Sequence, residues 1–187
     1  DSKEIQSVAI NSGAEVPFTR PEGLSGPKVA KFDVWKHALQ ACEDFYNEKY
    51  EVFVDLDCTN PLRDVSDISN VIKQLLRSKE KGVDAVFSVC GARKNPYFNM
   101  LEEDEDGALR MSKSSGPTII RRQDAPKVFD HVASIYALLP SKIYQRDHLL
   151  SGHTEGYDIG FEKSLDVDSE FDFELVEYLM KKKKGLL

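Results

Sequence analysis

The chain has 187 residues, enough to bury a core, and 41% of them are hydrophobic. Its formal net charge of −7 argues against a general nucleic-acid binder, because phosphate backbones need a basic surface. No apolar run reaches membrane-span length and no signal-peptide pattern is visible, so neither nucleic acid nor membrane is an expected partner. The three cysteines, Cys42, Cys58 and Cys90, match no zinc spacing and read as reduced thiols in a cytoplasmic protein.

In chain order, Asp1 and Ser2 can cap a short helix bearing Ile5, Val8 and Ala9 that stops at Gly13. Ala14 to Phe18 reads as a strand, and Thr19 to Lys28 as a loop punctuated by Pro and Gly. Phe32, Trp35, Leu39 and Cys42 set a helix over Phe32 to Tyr46, followed by a β run at Val52 to Val54. Asp67 can cap a helix carrying Ile68, Val71, Ile72 and Leu75 that ends near Gly82, and Ala85 to Val89 is a second apolar strand.

Asn95 to Ile120 breaks the rhythm with an aromatic pair, the acidic turn EEDEDG and a SKSSGP loop, which predicts a β-hairpin or arm. Strands return at His131 to Leu138 and Leu165 to Val167. Ser169 can then cap a last helix bearing Phe173, Val176, Leu179 and Met180, with Lys181 to Lys184 at its negative end. Short apolar strands alternating with amphipathic helices predict an α/β fold with a mostly parallel sheet, in one domain over 1–187.

Ligands of such sheets gather at the carboxyl ends of strands, where two acidic pairs fall. In SLDVDSEFD, alternation turns Asp166 and Asp168 to one side. Paired carboxylates repel unless a cation lies between them, and magnesium takes one or two carboxylates plus substrate phosphates. The alternative is that Asp168 or Ser169 only caps the last helix. Asp55 and Asp57, in VDLDCTNPLR, obey the same alternation and form a D-x-D signal that does not separate a glycosyltransferase from a nucleotidyltransferase. Arg63 binds an anion or, as the favoured reading, pairs with Asp64 or Asp67 at a helix start. Adjacent Arg121 and Arg122 in RRQDAPKVF suit carboxylate or phosphate oxygens, or else salt bridges to the acidic hairpin. His37 and His131 fall in a helix and a strand, and no nucleophilic triad stands out.

Taken together, DSKEIQSVAINSGAEVPFTRPEGLSG, KFDVWKHAL, DCTNPLRDVSDI, DAVFSVC, RRQDAP, ASIYAL and SLDVDSEFDFEL resemble, in order, the acylneuraminate cytidylyltransferase family. The resemblance implies a Rossmann-like, GT-A-like nucleotidyltransferase sheet flanked by helices. It implies an inserted dimerisation arm over 95–130 and hence a homodimer. The implied reaction joins CMP from CTP to the anomeric hydroxyl of a nine-carbon sugar acid, with pyrophosphate released. It implies Mg2+ on Asp166 and Asp168, Arg20 on the cytidine and Lys31 on a phosphate. Asp57 stands where many sialic acid members carry Gln and so faces the sugar. Arg122 and Gln123 match a sugar-acid-binding pair, with Arg122 on the carboxylate, and Tyr136 ends a strand near the sugar. Asp57 and Val132-Ala133-Ser134 depart from the sialic acid pattern and widen the expected substrates to legionaminic or pseudaminic acid.

The family's basic, glycine-bearing phosphate loop has no match, so the sequence is expected to be a truncated or only partly recorded enzyme, whose activity without that loop is in question. The rivals are a metal-dependent glycosyltransferase using Asp55-Leu56-Asp57 and a non-catalytic binding domain.

Overall fold

A computed structural model describes residues 1–114, 116 and 119–186. Part of the SKSSGP loop, Ser115 and Pro117, therefore lies outside the described residues, as do Thr118 and Leu187. The principal sheet has four strands in the order β1-β5-β2-β6: β1 Phe53–Leu56, β2 Ala85–Gly91, β5 Phe129–Leu138 and β6 Thr154–Asp158. A separate hairpin pairs β3 Leu101–Glu103 with β4 Leu109–Met111. The helices are α1 Lys3–Asn11, α2 Lys31–Tyr46, α3 Val65–Ser78, α4 Pro140–Ile143 and α5 Glu170–Lys183.

Hydrogen bonds outside the strand ends give the directions. Asp84 N–H reaches His153 O and Ile159 N–H reaches Val89 O, so β2 and β6 run parallel. Ala92 N–H reaches Val128 O and Leu139 N–H reaches Asp84 O, so β5 runs antiparallel to β2. The α/β class follows the sequence pattern. The reversed strand does not, because an apolar run carries no direction.

The chain divides into two compact units, each assembled from three stretches. The first comprises Asp1–Leu56, Ser69–Val86 and Tyr136–Glu155. Here Phe32, Trp35 and Leu39 form the buried stripe of α2, and Trp35 packs on Phe53 and Tyr136 with ring centres 5.8 and 5.3 Å apart. Ser2 caps α1 by accepting from Glu4 and Ile5 N–H, and α2 ends at Asn47 in the left-handed conformation, φ 52°. Arg146 is buried in an ion pair with Asp84, its guanidinium also donating to Leu149 O and Thr154 Oγ1.

The second unit comprises Asp57–Ile68, Phe87–Ile135 and Gly156–Leu187. Phe87, Cys90, Val132, Ile135, Ile159 and Val176 are buried in it. The Ser88 hydroxyl accepts from Ile135 N–H at 2.8 Å and donates to Val132 O at 2.8 Å, so a side chain of β2 bonds backbone groups of β5. Ser169 caps α5 by accepting from Asp172 N–H, as expected.

Two expected strands do not form. Ala14 to Phe18 joins no ladder among the described residues; Glu15 instead accepts from Tyr46 Oη, and Phe18 packs edge-on against His37. Leu165 to Val167 is also outside any strand. Its alternating sequence suits a strand, but one of its two tethers is a side-chain amide rather than a ladder bond.

Candidate active site

The sequence-predicted residues fall into separate groups. In the first unit, the Lys31 ammonium at the start of α2 lies 3.0 Å from Asp55 Oδ2 and 4.2 Å from the centre of the buried Tyr136 ring. Asp55 therefore has a lysine as its cation partner. Arg20 is ion-paired with Asp1.

In the second unit, β1 gives way to a tight turn at Asp57–Asn60. Asp57 N–H donates to Ser134 O at 3.1 Å, and the Asp57 carboxylate is 3.4 Å from Thr59 Oγ1. Arg63 Nη1 donates to three backbone carbonyls: Asp57 and Asn60, each at 2.6 Å, and Ser134 at 3.3 Å. Arg63 thus has the structural role favoured by its sequence context, but this nitrogen clamps backbone. Asp64 and Asp67 meet lysines instead: Lys163 contacts both, and Lys183 contacts Asp64. Hydrogen bonds from Lys183 and then Lys163 hold the Asp64 carboxyl below its ordinary range, while Asp67 raises Lys163 above its own. Asp67 also accepts from Asp64 N–H at 2.8 Å, fixing the start of α3.

The Asp57 turn is bonded to the second acidic pair. Asn60 Nδ2 donates to Leu165 O at 2.8 Å, and Val167 N–H donates to Thr59 O at 2.9 Å. Asp166 and Asp168 lie on this irregular segment, between a 3-10 turn at Phe161–Lys163 and α5, rather than at a strand end as expected. Asp166 Oδ1 accepts from the Val167 N–H at 3.1 Å. The helix cap belongs to Ser169, so Asp168 is left out of that job.

Among the described residues, neither Asp166 nor Asp168 forms an ion pair, whereas Asp55, Asp64 and Asp67 each do. Half-buried Asp166 and exposed Asp168 are hard oxygen donors in want of a cation, a fit to magnesium. Among the described residues no group of three or more His, Cys, Asp or Glu is placed to hold a metal, so a magnesium ion at this pair would draw its remaining ligands from substrate and water. Beside the junction, α5 borders a cavity of about 620 Å3 whose wall is mostly apolar, with Pro61, Val167, Phe173 and Val176, and also includes Lys181 and Lys184.

Arg122 and Gln123 stand exposed on the 3-10 turn Arg122–Asp124. Arg122 Nη2 donates to Arg93 O at 3.0 Å and Ala92 O at 3.4 Å, which ties the turn to the end of β2. Arg121 forks onto Asp124 at 2.7 and 3.0 Å rather than onto the acidic hairpin. No hydrogen bond among the described residues links Arg122 or Gln123 to the Asp166–Asp168 segment. Sequence reasoning passed over Asn60 and Lys163. Asn60, before Pro61, signals only a turn, and the lysine's partners are some hundred residues distant.

No protein-family profile matches the chain. It is 35% identical over 183 residues to post-translational flagellin modification protein B of Campylobacter coli, a match covering 98% of this chain and 75% of that protein. Against the CMP-N,N'-diacetyllegionaminic acid synthase of Campylobacter jejuni, identity is 33% over 180 residues, covering 96% and 74%. Against the N-acylneuraminate cytidylyltransferase of Escherichia coli it is 30% over 189 residues, covering 98% of this chain and 41% of that one. In fold, the chain is similar to CMP:2-keto-3-deoxy-manno-octonic acid synthetase complexed with CTP, with a TM-score of 0.64 at 12% identity, covering 98% of this chain and 79% of that one. The chain belongs to the acylneuraminate cytidylyltransferase family.

Proposed function

We propose that the protein joins CMP, taken from CTP, to the anomeric hydroxyl of a nonulosonic acid of the sialic, legionaminic or pseudaminic type. The observation that carries this reading is the junction of the Asp57 turn with the Asp166–Asp168 segment, in a chain whose relatives include CMP-sugar-acid synthases. The sugar hydroxyl oxygen bonds to the α-phosphorus, the bond to the β-phosphate oxygen breaks, pyrophosphate leaves and the hydroxyl proton passes to solvent.

Asp166 and Asp168 would hold Mg2+, which would offset phosphate charge and lower the pKa of the attacking hydroxyl. Asp57, braced by Thr59 and by the Arg63 clamp, faces the sugar. Arg122 takes the sugar carboxylate beside Gln123, since a guanidinium fork matches carboxylate geometry. Arg20 holds the cytidine, Lys31 meets a phosphate and Tyr136 lies near the sugar. Positioning and electrostatics dominate such phosphoryl chemistry.

The hairpin supports a homodimer: its register puts Leu101 opposite Met111, and these exposed residues with Leu109 make an apolar face for a second copy. Free Cys42, Cys58 and Cys90 suit the reducing cytoplasm. No helix among the described residues is long and apolar enough to cross a membrane.

The test is pyrophosphate release from CTP by the full-length protein, with magnesium and a panel of nonulosonic acids. No release with any acid, together with glycosyl transfer from a nucleotide sugar, would reverse the reading. The glycosyltransferase rival needs Asp55 and Asp57 as a joint metal motif, and the Lys31–Asp55 ion pair disfavours it.

A further inference from the structure

We propose that Asn60 is a positioning residue, coupling the turn that carries Asp57 to the segment that carries Asp166 and Asp168. The proposal rests on the assignment of magnesium to those two aspartates.

Asn60 is wholly buried and its side-chain amide donates to Leu165 O at 2.8 Å. The neighbouring carbonyl, Thr59 O, accepts from Val167 N–H at 2.9 Å. The two bonds fall on the residues either side of Asp166, so this carboxylate is bracketed at both peptide neighbours. At the far end, Asp168 N–H meets Asp172 Oδ2 at 3.3 Å, at the start of α5. No helix or strand ladder supports the segment otherwise, so these tethers set where the carboxylates stand.

The anchor on the other side is firm. Arg63 Nη1 donates to Asn60 O and Asp57 O, both at 2.6 Å, so the Asn60 backbone and the Asp57 turn move together. One residue thus ties a sugar-facing carboxylate to a metal-facing pair through its backbone on one side and its amide on the other. Groups that orient metal ligands from behind affect affinity without touching the ion.

The test titrates Mn2+ into the full-length protein in the presence of CTP, following free Mn2+ by electron paramagnetic resonance. Wild type is compared with Asn60→Leu, which keeps the branched side-chain shape but removes the N–H donor, and with Asp166→Asn. Thermal unfolding is recorded alongside. The expected result is that Asp166→Asn weakens Mn2+ binding most, and that folded Asn60→Leu weakens it about tenfold. A purely packing role would lower the melting temperature and leave the affinity of the folded protein unchanged. That outcome, with Asp166→Asn still defective, overturns the positioning role but spares the functional reading. Wild-type binding by Asp166→Asn overturns the metal assignment and the positioning role with it. If Asn60→Leu does not fold, Asn60→Ala carries the same measurement. Failure of both to fold assigns Asn60 to folding and overturns the proposal.

Discussion

The ammonium of Lys31 lies 3.0 Å from the carboxylate of Asp55, which gives the first aspartate of the D-x-D stretch a protein cation. Asp55→Asn is therefore expected to leave the magnesium requirement alone, with half-saturating Mg2+ within about twofold of wild type. Magnesium titration of turnover checks this. Loss of magnesium dependence would return the metal to the Asp55-Leu56-Asp57 stretch.

Asp168 and Asp57 should separate kinetically. Asp168→Asn removes a proposed ligand and is expected to cost at least about 100-fold in magnesium-dependent turnover. Asp57→Gln should change mainly the KM or the choice of sugar acid, because its carboxylate is braced by Thr59 and its turn by Arg63. Steady-state kinetics over several nonulosonic acids distinguish the two. A reversed pattern would exchange the roles.

Gly152 lies over the ion pair that buried Arg146 makes with half-buried Asp84. A Cβ there would stand 2.5 Å from Asp84 Oδ2 and 2.7 Å from Arg146 Nη2. The guanidinium has little room to yield, because Leu149 O and Thr154 Oγ1 also hold it. Gly152→Ala is thus expected to destabilise the fold by about 3 kcal/mol, in the range for disrupting a buried ion pair. Urea unfolding measures it, and a change below about 0.5 kcal/mol would mean the pair repacks freely.

The parts of this architecture written in the sequence are those with local signals. Ser2 and Ser169 cap α1 and α5 as read, and the stripe Phe32, Trp35 and Leu39 marks α2. Strand β6 was missed because Thr154-Glu155-Gly156-Tyr157-Asp158 has neither an apolar run nor a clean alternation. At Gly156 a Cβ would stand 2.9 Å from Val89 Cγ2, a cross-strand constraint set by tertiary packing. Asp57 and Asp166 stand out in the sequence as members of two acidic pairs. Their coupling does not, since the Asn60–Leu165 bond spans 105 residues. Ser88 likewise reads as one polar residue in an apolar strand until β5 is laid beside it.

Glu155 accepts from Gln74 Nε2 at 3.0 Å and Ser78 Oγ at 3.1 Å, and the Gln74 bond leads in holding its carboxyl below the usual 4.5. A depressed carboxyl stabilises the fold above its unfolded pKa, and that contribution fades as pH falls through the lower folded value. Asp64, Asp104 and Asp172 are depressed below 3.8 and act in the same direction. Stability should therefore decline as pH drops from 4.5 through the range below 3.8, and Glu155→Gln should flatten the upper part of that decline. Urea midpoints across that range test it. Parallel curves for wild type and variant would remove Glu155 from the acid response.

Strand alternation puts Leu101, Glu103, Leu109 and Met111 on one side of β3 and β4, and the cross-strand pair Glu102–Arg110 on the other. Leu101, Leu109 and Met111 are exposed, an apolar row that a monomer would leave in water. A glutamate at position 109 would set a second carboxylate directly opposite Glu103 on that side, and two like charges brought together under a covering second copy are costly. Leu109→Glu is expected to weaken dimerisation at least tenfold, about 1.4 kcal/mol. Arg110→Glu, on the opposite side, serves as the control and should leave assembly within about threefold. Sedimentation equilibrium reads both constants. Equal dimer stability in wild type and Leu109→Glu would place the subunit contact elsewhere and free the hairpin from that role.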